Sequence, residues 1–219
     1  MTSSIKGLIF DLDGVIVDTA KYHFHAWKRL AKSLGIDFTE EDNEQLKGVS
    51  RRGSIDKILT WGGLTISEDE IEELMFKKNK WYLELMGEMD ASEILPGVSR
   101  ILEEAKNGGF KIALGSASKN APLILDQVEL TPYFDIIVDG NVVSASKPDP
   151  EVFVKGAEGL QLKNEECVVF EDSISGVDAA LTGGMKAVGI GHPQTLHKAH
   201  LNLLGFENVE LQKDILDKL

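Results

Sequence analysis

Cysteine is almost missing from this sequence. Cys167 is the only one in 219 residues, so no intrachain disulfide exists and the cytosol is the natural compartment. Basic charge is short as well: 23 Lys and Arg against 36 Asp and Glu leave a formal net charge of −13. A chain this acidic repels phosphodiester backbones and anionic lipid, so neither nucleic acid nor membrane is expected as a partner. No apolar run approaches the ~20 residues that span a bilayer. The opening MTSSIKGLIFDLDG does not read as a signal peptide, because its apolar stretch is short and stops at carboxylates. Internal repeats and low-complexity segments are lacking too. What is present, 42 % hydrophobic and 27 % charged residues, fits an ordinary globular protein with a sizeable core. Its length allows one large domain or one domain with an insert, and a monomer is expected.

Short apolar runs recur at 7–10, 112–114, 136–138, 168–170 and 187–190, each with the length and character of a buried strand. Helical stretches separate the later ones, near 97–107, 120–130, 150–160 and 174–183. Strands alternating with helices predict an α/β fold, a doubly wound parallel sheet with helices on both faces. Residues 20–92 break the alternation and are helical by pattern. Phe24, Trp27, Leu30, Ala31 and Leu34 form one stripe, and Ile71, Leu74, Met75, Tyr82 and Leu85 another, at helical spacing. The expected plan is a Rossmann-like core of residues 1–19 and 93–219, interrupted by a helical cap, 20–92. Packing inside that cap is the plain reading of Trp27, Trp81 and Tyr82. A lid hinged beside the first strand's loop would open and close over it.

In open parallel sheets, ligands sit beyond the carboxyl ends of the strands. The residues at those ends are polar and charged. Asp11 and Asp13 come after the first strand, Ser116, Ala117, Ser118, Lys119 and Asn120 after the second, and Glu171-Asp172 after a later one. Lys147 precedes the helix near residue 150. Singly, each is an ordinary loop or helix-start residue. Together they place four carboxylates, a lysine and several hydroxyls at one edge. Two like unit charges about 4 Å apart repel by about 4 kcal/mol at an effective dielectric near 20, so a cation or protons must relieve the crowding. No cysteine or histidine falls at these positions, which argues against zinc and for Mg²⁺ shared with a phosphate.

Asp11-Leu12-Asp13-Gly14, Ser116, Lys147-Pro148 and Glu171-Asp172 resemble the four motifs of the haloacid dehalogenase superfamily, across the whole chain. Within it, the segments Lys47-Gly48-Val49-Ser50-Arg51 and Ser116-Ala117-Ser118-Lys119-Asn120 are similar to those of its hexose-phosphate mutases. The resemblance implies an isomerase that interconverts β-glucose 1-phosphate and β-glucose 6-phosphate through a 1,6-bisphosphate. Its sibling alternative is a sugar-phosphate phosphatase, and a non-catalytic phosphate-binding module is a third reading. It implies Asp11 as nucleophile, Asp13 as general acid/base, and Ser116 and Lys147 as grips on the transferring phosphoryl group. Mg²⁺ would be held by Asp11, the Asp13 carbonyl and Asp172, with Glu171 beside it. Superfamily members that cleave carbon–halogen or carbon–phosphorus bonds lack the second Asp of the first motif, so Asp13 argues against both activities.

A mutase must also hold a second phosphate. Arg51 can bind one in bidentate fashion, and Ser118, Lys119 and Asn120 precede a helix with Pro122 in its first turn, a place that suits anions. His23 and Lys78 match cap positions of the resembled mutases, and Trp27, Lys47, Gly48, Val49, Ser50 and Ala117 complete the expected sugar-phosphate site. Plain readings cover the rest. Cys167 is core, Asp149 caps a helix, and His192, His197 and His200 are surface. Gly115 departs from the alanine common in the family, and the stretch after Gly191 matches it poorly.

Overall fold

The structure, a computed structural model, describes residues 5–87 and 89–219. Residues 1–4 of the expected core segment lie outside it. Six strands form one parallel sheet: β1 (Gly7–Phe10), β2 (Lys111–Gly115), β3 (Ile136–Val138), β4 (Cys167–Glu171), β5 (Lys186–Ile190) and β6 (Leu201–Leu203). Their order is β3-β2-β1-β4-β5-β6. The chain runs outward from β1 to β3, then returns to lay β4 on the other side of β1. That reversal opens a crevice at the carboxyl ends of β1 and β4.

Alternation within each strand builds two cores. Leu8, Phe10, Leu114, Val168 and Phe170 face one layer, with α5 (Val98–Asn107) and α6 (Ala121–Gln127). Ile9, Ala113 and Val169 face the other, with α7 (Glu151–Gly159) and α8 (Ile174–Thr182). Val98, Ile101, Leu102 and Ala105 make the buried stripe of α5, at the spacing a sheet-covering helix needs. β6 and the C-terminal turns, which sequence pattern did not resolve, close the first layer. Phe206 sits edge-on to the stacked rings of Phe10 and Phe170, and Leu211 and Ile215 seal its rim.

Between β1 and α5 lie α1 (Ala20–Ser33), α2 (Glu40–Glu44), α3 (Arg51–Trp61) and α4 (Glu68–Met86). Thr39, Ser50 and Ser67 each accept a hydrogen bond from the first turn of the next helix, which ends the loops at defined points. These helices bury a cluster of their own, with Trp27, Leu30, Phe38, Ile55 and Ile58 at its centre. One expectation fails here. Leu85 is 41 % exposed and Met86 is buried in its place, because the long α4 rotates its stripe by about one residue toward its end. Tyr82 packs where the helices meet the sheet: its ring lies 4.4 Å from that of His23 on α1, and it shares a core with Ala26 of α1 and with Leu12, Val15 and Val17.

Candidate active site

Parallel register sets the site. Phe10 pairs with Leu114 on one side and Phe170 on the other, so the residues after them, Asp11, Gly115 and Glu171, lie level across three adjacent strands. Ser116 comes next and is fully buried. Lys147 reaches in from the loop before α7. Its Nζ lies 2.8 Å from Asp11 Oδ1 and 2.6 Å from Glu171 Oε1, and its side chain is 1 % exposed. Burial pushes the ammonium toward losing its proton, but the charges of Asp11 and Glu171 outweigh that and hold it above the ordinary lysine range. Glu171 Oε2 accepts from the Ser173 amide at 2.7 Å and its hydroxyl at 2.8 Å, so that carboxylate is locked from both ends.

Asp11, Glu171 and Asp172 each offer a carboxylate oxygen within 4.8 Å of the others. Burial, then the neighbouring carboxylates, push Asp11 well above the usual carboxylate range against the pull of Lys147. Burial and Glu171 push Asp172 up to about 7, with Lys47 opposing. Negative charge is therefore in excess even with Lys147 in place, and the donors are all hard oxygens. The site fits a divalent cation of the magnesium type. Gly14 is a condition of this crowding: its φ is 78° and a Cβ there would run into the Asp172 carboxylate, so only glycine meets both demands.

The Asp13 carboxylate stands outside that group of three. It accepts a hydrogen bond from Thr19, which is fully buried, and His23 Nε2 lies 3.7 Å from its Oδ1. Burial acts to raise its pKa, but His23 and Thr19 hold it below the ordinary value. His23 Nδ1 and Lys78 Nζ are 2.9 Å apart. With Lys78 as donor, Nε2 carries the ring proton and faces Asp13. Lys78 is 2 % exposed and packs its Nζ over the rings of Trp27 and Tyr82, 4.6 Å from each centroid. Burial, then Arg51, hold it well below the ordinary lysine range.

Asp11, Asp13, His23, Lys78, Lys147 and Asp172 open onto one cavity of ≈ 370 Å³ between the sheet edge and helices α1, α3 and α4, whereas Ser116 and Glu171 are fully buried behind it. All twelve expected substrate contacts line it: His23, Trp27, Lys47 to Arg51, Lys78, and Ala117 to Asn120. Lys47 Nζ lies 3.3 Å from Asp172 Oδ2 and 3.0 Å from Glu44, so it is not simply a solvated charge. Arg52, by contrast, is spent on Asp56 and Glu68 at the surface. Gly48, at φ 70°, brings the 47–51 loop to where a Cβ would be 2.6 Å from the hydroxyls of Ser173 and Ser175. Side-chain roles missed in the sequence are those of Thr19, Ser173 and Asn79. The last accepts from Arg51 Nη2 at 2.7 Å. Each is a common polar residue whose local sequence gives no sign of what it will meet.

The remaining readings resolve simply. Cys167 is fully buried; Pro150, not Asp149, is the N-cap of α7, and Asp149 sits one residue earlier and accepts from the Glu151 amide at 2.9 Å. His192, His197 and His200 are exposed. Gly115 has a packing reason, because a Cβ there would lie 2.8 Å from the Phe153 ring.

Known proteins are similar to this chain in sequence and fold. The chain is 42 % identical over 199 residues to a β-phosphoglucomutase of Bacillus subtilis, covering 90 % of this chain and 88 % of that one. It is 33 % identical over 201 residues to a phosphorylated carbohydrates phosphatase of Thermotoga maritima, covering 90 % of each. A crystal structure of β-phosphoglucomutase from Clostridium difficile superposes with a TM-score of 0.94 at 39 % identity, over 98 % of this chain and 96 % of that one. The family description "haloacid dehalogenase-like hydrolase" matches residues 5–184. With that match laid over a parallel sheet whose strand ends gather Asp11, Ser116, Lys147 and Asp172, the chain belongs to the haloacid dehalogenase-like hydrolase family.

Proposed function

We propose that the chain works as a β-phosphoglucomutase, interconverting β-D-glucose 1-phosphate and β-D-glucose 6-phosphate through an aspartyl phosphate and β-glucose 1,6-bisphosphate. Residues 20–92 act as the cap and the remainder as the catalytic core. Asp11 attacks phosphorus and becomes the acyl phosphate. Asp13, aimed by Thr19 and His23, gives a proton to the departing sugar oxygen and takes one from the attacking hydroxyl. Ser116 and Lys147 hold the phosphoryl oxygens as charge shifts among them. Asp11, Asp172 and the Asp13 main chain would hold Mg²⁺, with Glu171 beside them. When bound, the ion supplies charge neutralisation to the carboxylates and the incoming phosphate.

One observation carries the mutase reading over simple hydrolysis. Arg51 lies in the same cavity as Asp11, partly buried, and among the described residues meets no carboxylate. With Ser118, Lys119 and Asn120 it makes a second anion grip, separate from Lys147. A bisphosphate that turns over between half-reactions needs two such grips. The Thermotoga maritima relative favours a phosphatase with the same core as the second reading. Incubation with β-glucose 1-phosphate, Mg²⁺ and a trace of bisphosphate separates them. Glucose 6-phosphate in large excess over free phosphate is the expected result, and free phosphate as the main product refutes the mutase. A cytosolic monomer acting on small sugar phosphates completes the proposal.

A further inference from the structure

Two donors from different parts of the chain meet on one oxygen where α4 faces the sheet edge. Asn79 Oδ1 accepts from Arg51 Nη2 at 2.7 Å and from Asn120 Nδ2 at 3.0 Å. An amide oxygen has two lone pairs, so this one is saturated. Two donors converging on one oxygen is also the geometry in which they would grip a phosphate oxygen. Asn79 stands in the run Lys77-Lys78-Asn79-Lys80, neutral among cations. That neutrality matters. The amide aligns Arg51 without cancelling its charge, and it yields to a phosphate dianion because only the dianion adds an opposite charge and a bidentate match to the guanidinium. A carboxylate in the same place would hold Arg51 as an ion pair and repel the phosphate.

We propose that Asn79 is a positioning residue for the non-reacting phosphate: its neutral carboxamide holds Arg51 of the helical insert and Asn120 of the sheet edge at clamp spacing and leaves the guanidinium charge unspent until the phosphate arrives. This rests on the mutase reading, in which such a phosphate exists. Asn79 joins the two halves of the grip and so couples phosphate binding to closure of the cavity.

The test compares Asn79→Asp, which keeps the shape, with Asn79→Ala, which does not. Calorimetry with β-glucose 1-phosphate gives affinity without turnover. The expected loss is about 30-fold in Asn79→Asp, from like-charge repulsion and capture of Arg51, and about 5-fold in Asn79→Ala, from lost alignment. Phosphorylation of Asp11 by acetyl phosphate, which carries no second phosphate, stays within about twofold of wild type in both. A purely structural role predicts the opposite order, with the isosteric variant milder. Asn79→Ala as weak as Asn79→Asp or weaker, unchanged affinity in Asn79→Asp, or parallel loss of acetyl phosphate reactivity would each overturn the proposal. The mutase reading fails separately, on a wild type that forms no glucose 6-phosphate, and the order of affinities then still decides the role of Asn79.

Discussion

Replacing Lys147 by Met removes a buried cation and keeps a stem of similar length against Phe153, over whose ring the ammonium now sits at 4.7 Å. Asp11 and Glu171 each lose an ion pair, at 2.8 and 2.6 Å, and three carboxylates are left with donor atoms within 4.8 Å of one another. Breaking a buried pair from one side costs about 3–5 kcal/mol. For a chain of this size that is a fall of about 6–20 °C in Tm. The loss depends on pH. Lys147 has a folded pKa above its unfolded one, so its contribution is fully present below the unfolded value, across the whole working range. Asp11, left behind without its cation, is held well above the usual carboxylate range by burial and the neighbouring carboxylates and can relieve itself by binding a proton. The variant's deficit is therefore larger at pH 8 than at pH 5.5. A divalent cation repays part of it, about 2.7 kcal/mol at a hundred times its dissociation constant. Thermal melts at the two pH values, with chelator and with Mg²⁺, read all of this. A Tm within about 2 °C of wild type at pH 8 in chelator would refute the charge accounting.

Asp11→Asn abolishes turnover and phosphate labelling with the fold intact, because an amide is a poor nucleophile; phosphate labelling of another residue would reassign the role. Arg51→Ala keeps phosphorylation by acetyl phosphate and loses about 2–4 kcal/mol, roughly 30- to 1,000-fold, in the step that uses a sugar already carrying a phosphate. Equal mutase rates in wild type and variant would remove the distal grip. Mg²⁺ stabilises the protein more at pH 8 than at pH 5.5. Asp172 titrates at about 7 in the fold, so between its unfolded value and 7 the folded state holds an extra proton and stability falls as pH rises, while the cation competes with that proton for the same carboxylate. Equal shifts in Tm at both pH values would refute the shared site.

Local pattern was enough for much of this protein. The runs at 7–10 and 168–170 and the helical spacing of α5 and α7 are short-range signals, and their periods identify a strand or helix before any partner is known. Motif residues were legible for the same reason: Asp11, Asp13, Ser116, Lys147 and Glu171-Asp172 sit where strands or loops end, and a parallel sheet gathers its strand ends at one edge. Residue-type chemistry also pointed to an oxygen-only cation site. Other facts depended on contacts between distant parts of the chain. Strand order put Asp11 beside Glu171, 160 residues away, and not beside the end of β3. Tyr82 carries the same helical periodicity as its neighbours, and only docking brings it to Leu12, Val15 and Val17 as well as to the helices. The short strand β6 has too few residues to show a period, and only pairing with β5 defines it. Asn79 is one polar residue in a basic run until α3 and the loop before α6 bring Arg51 and Asn120 to the same oxygen. Periodicity reports which face of an element is apolar, whereas the partner of a polar side chain is set by how the elements dock, a property of the whole chain that no local window contains.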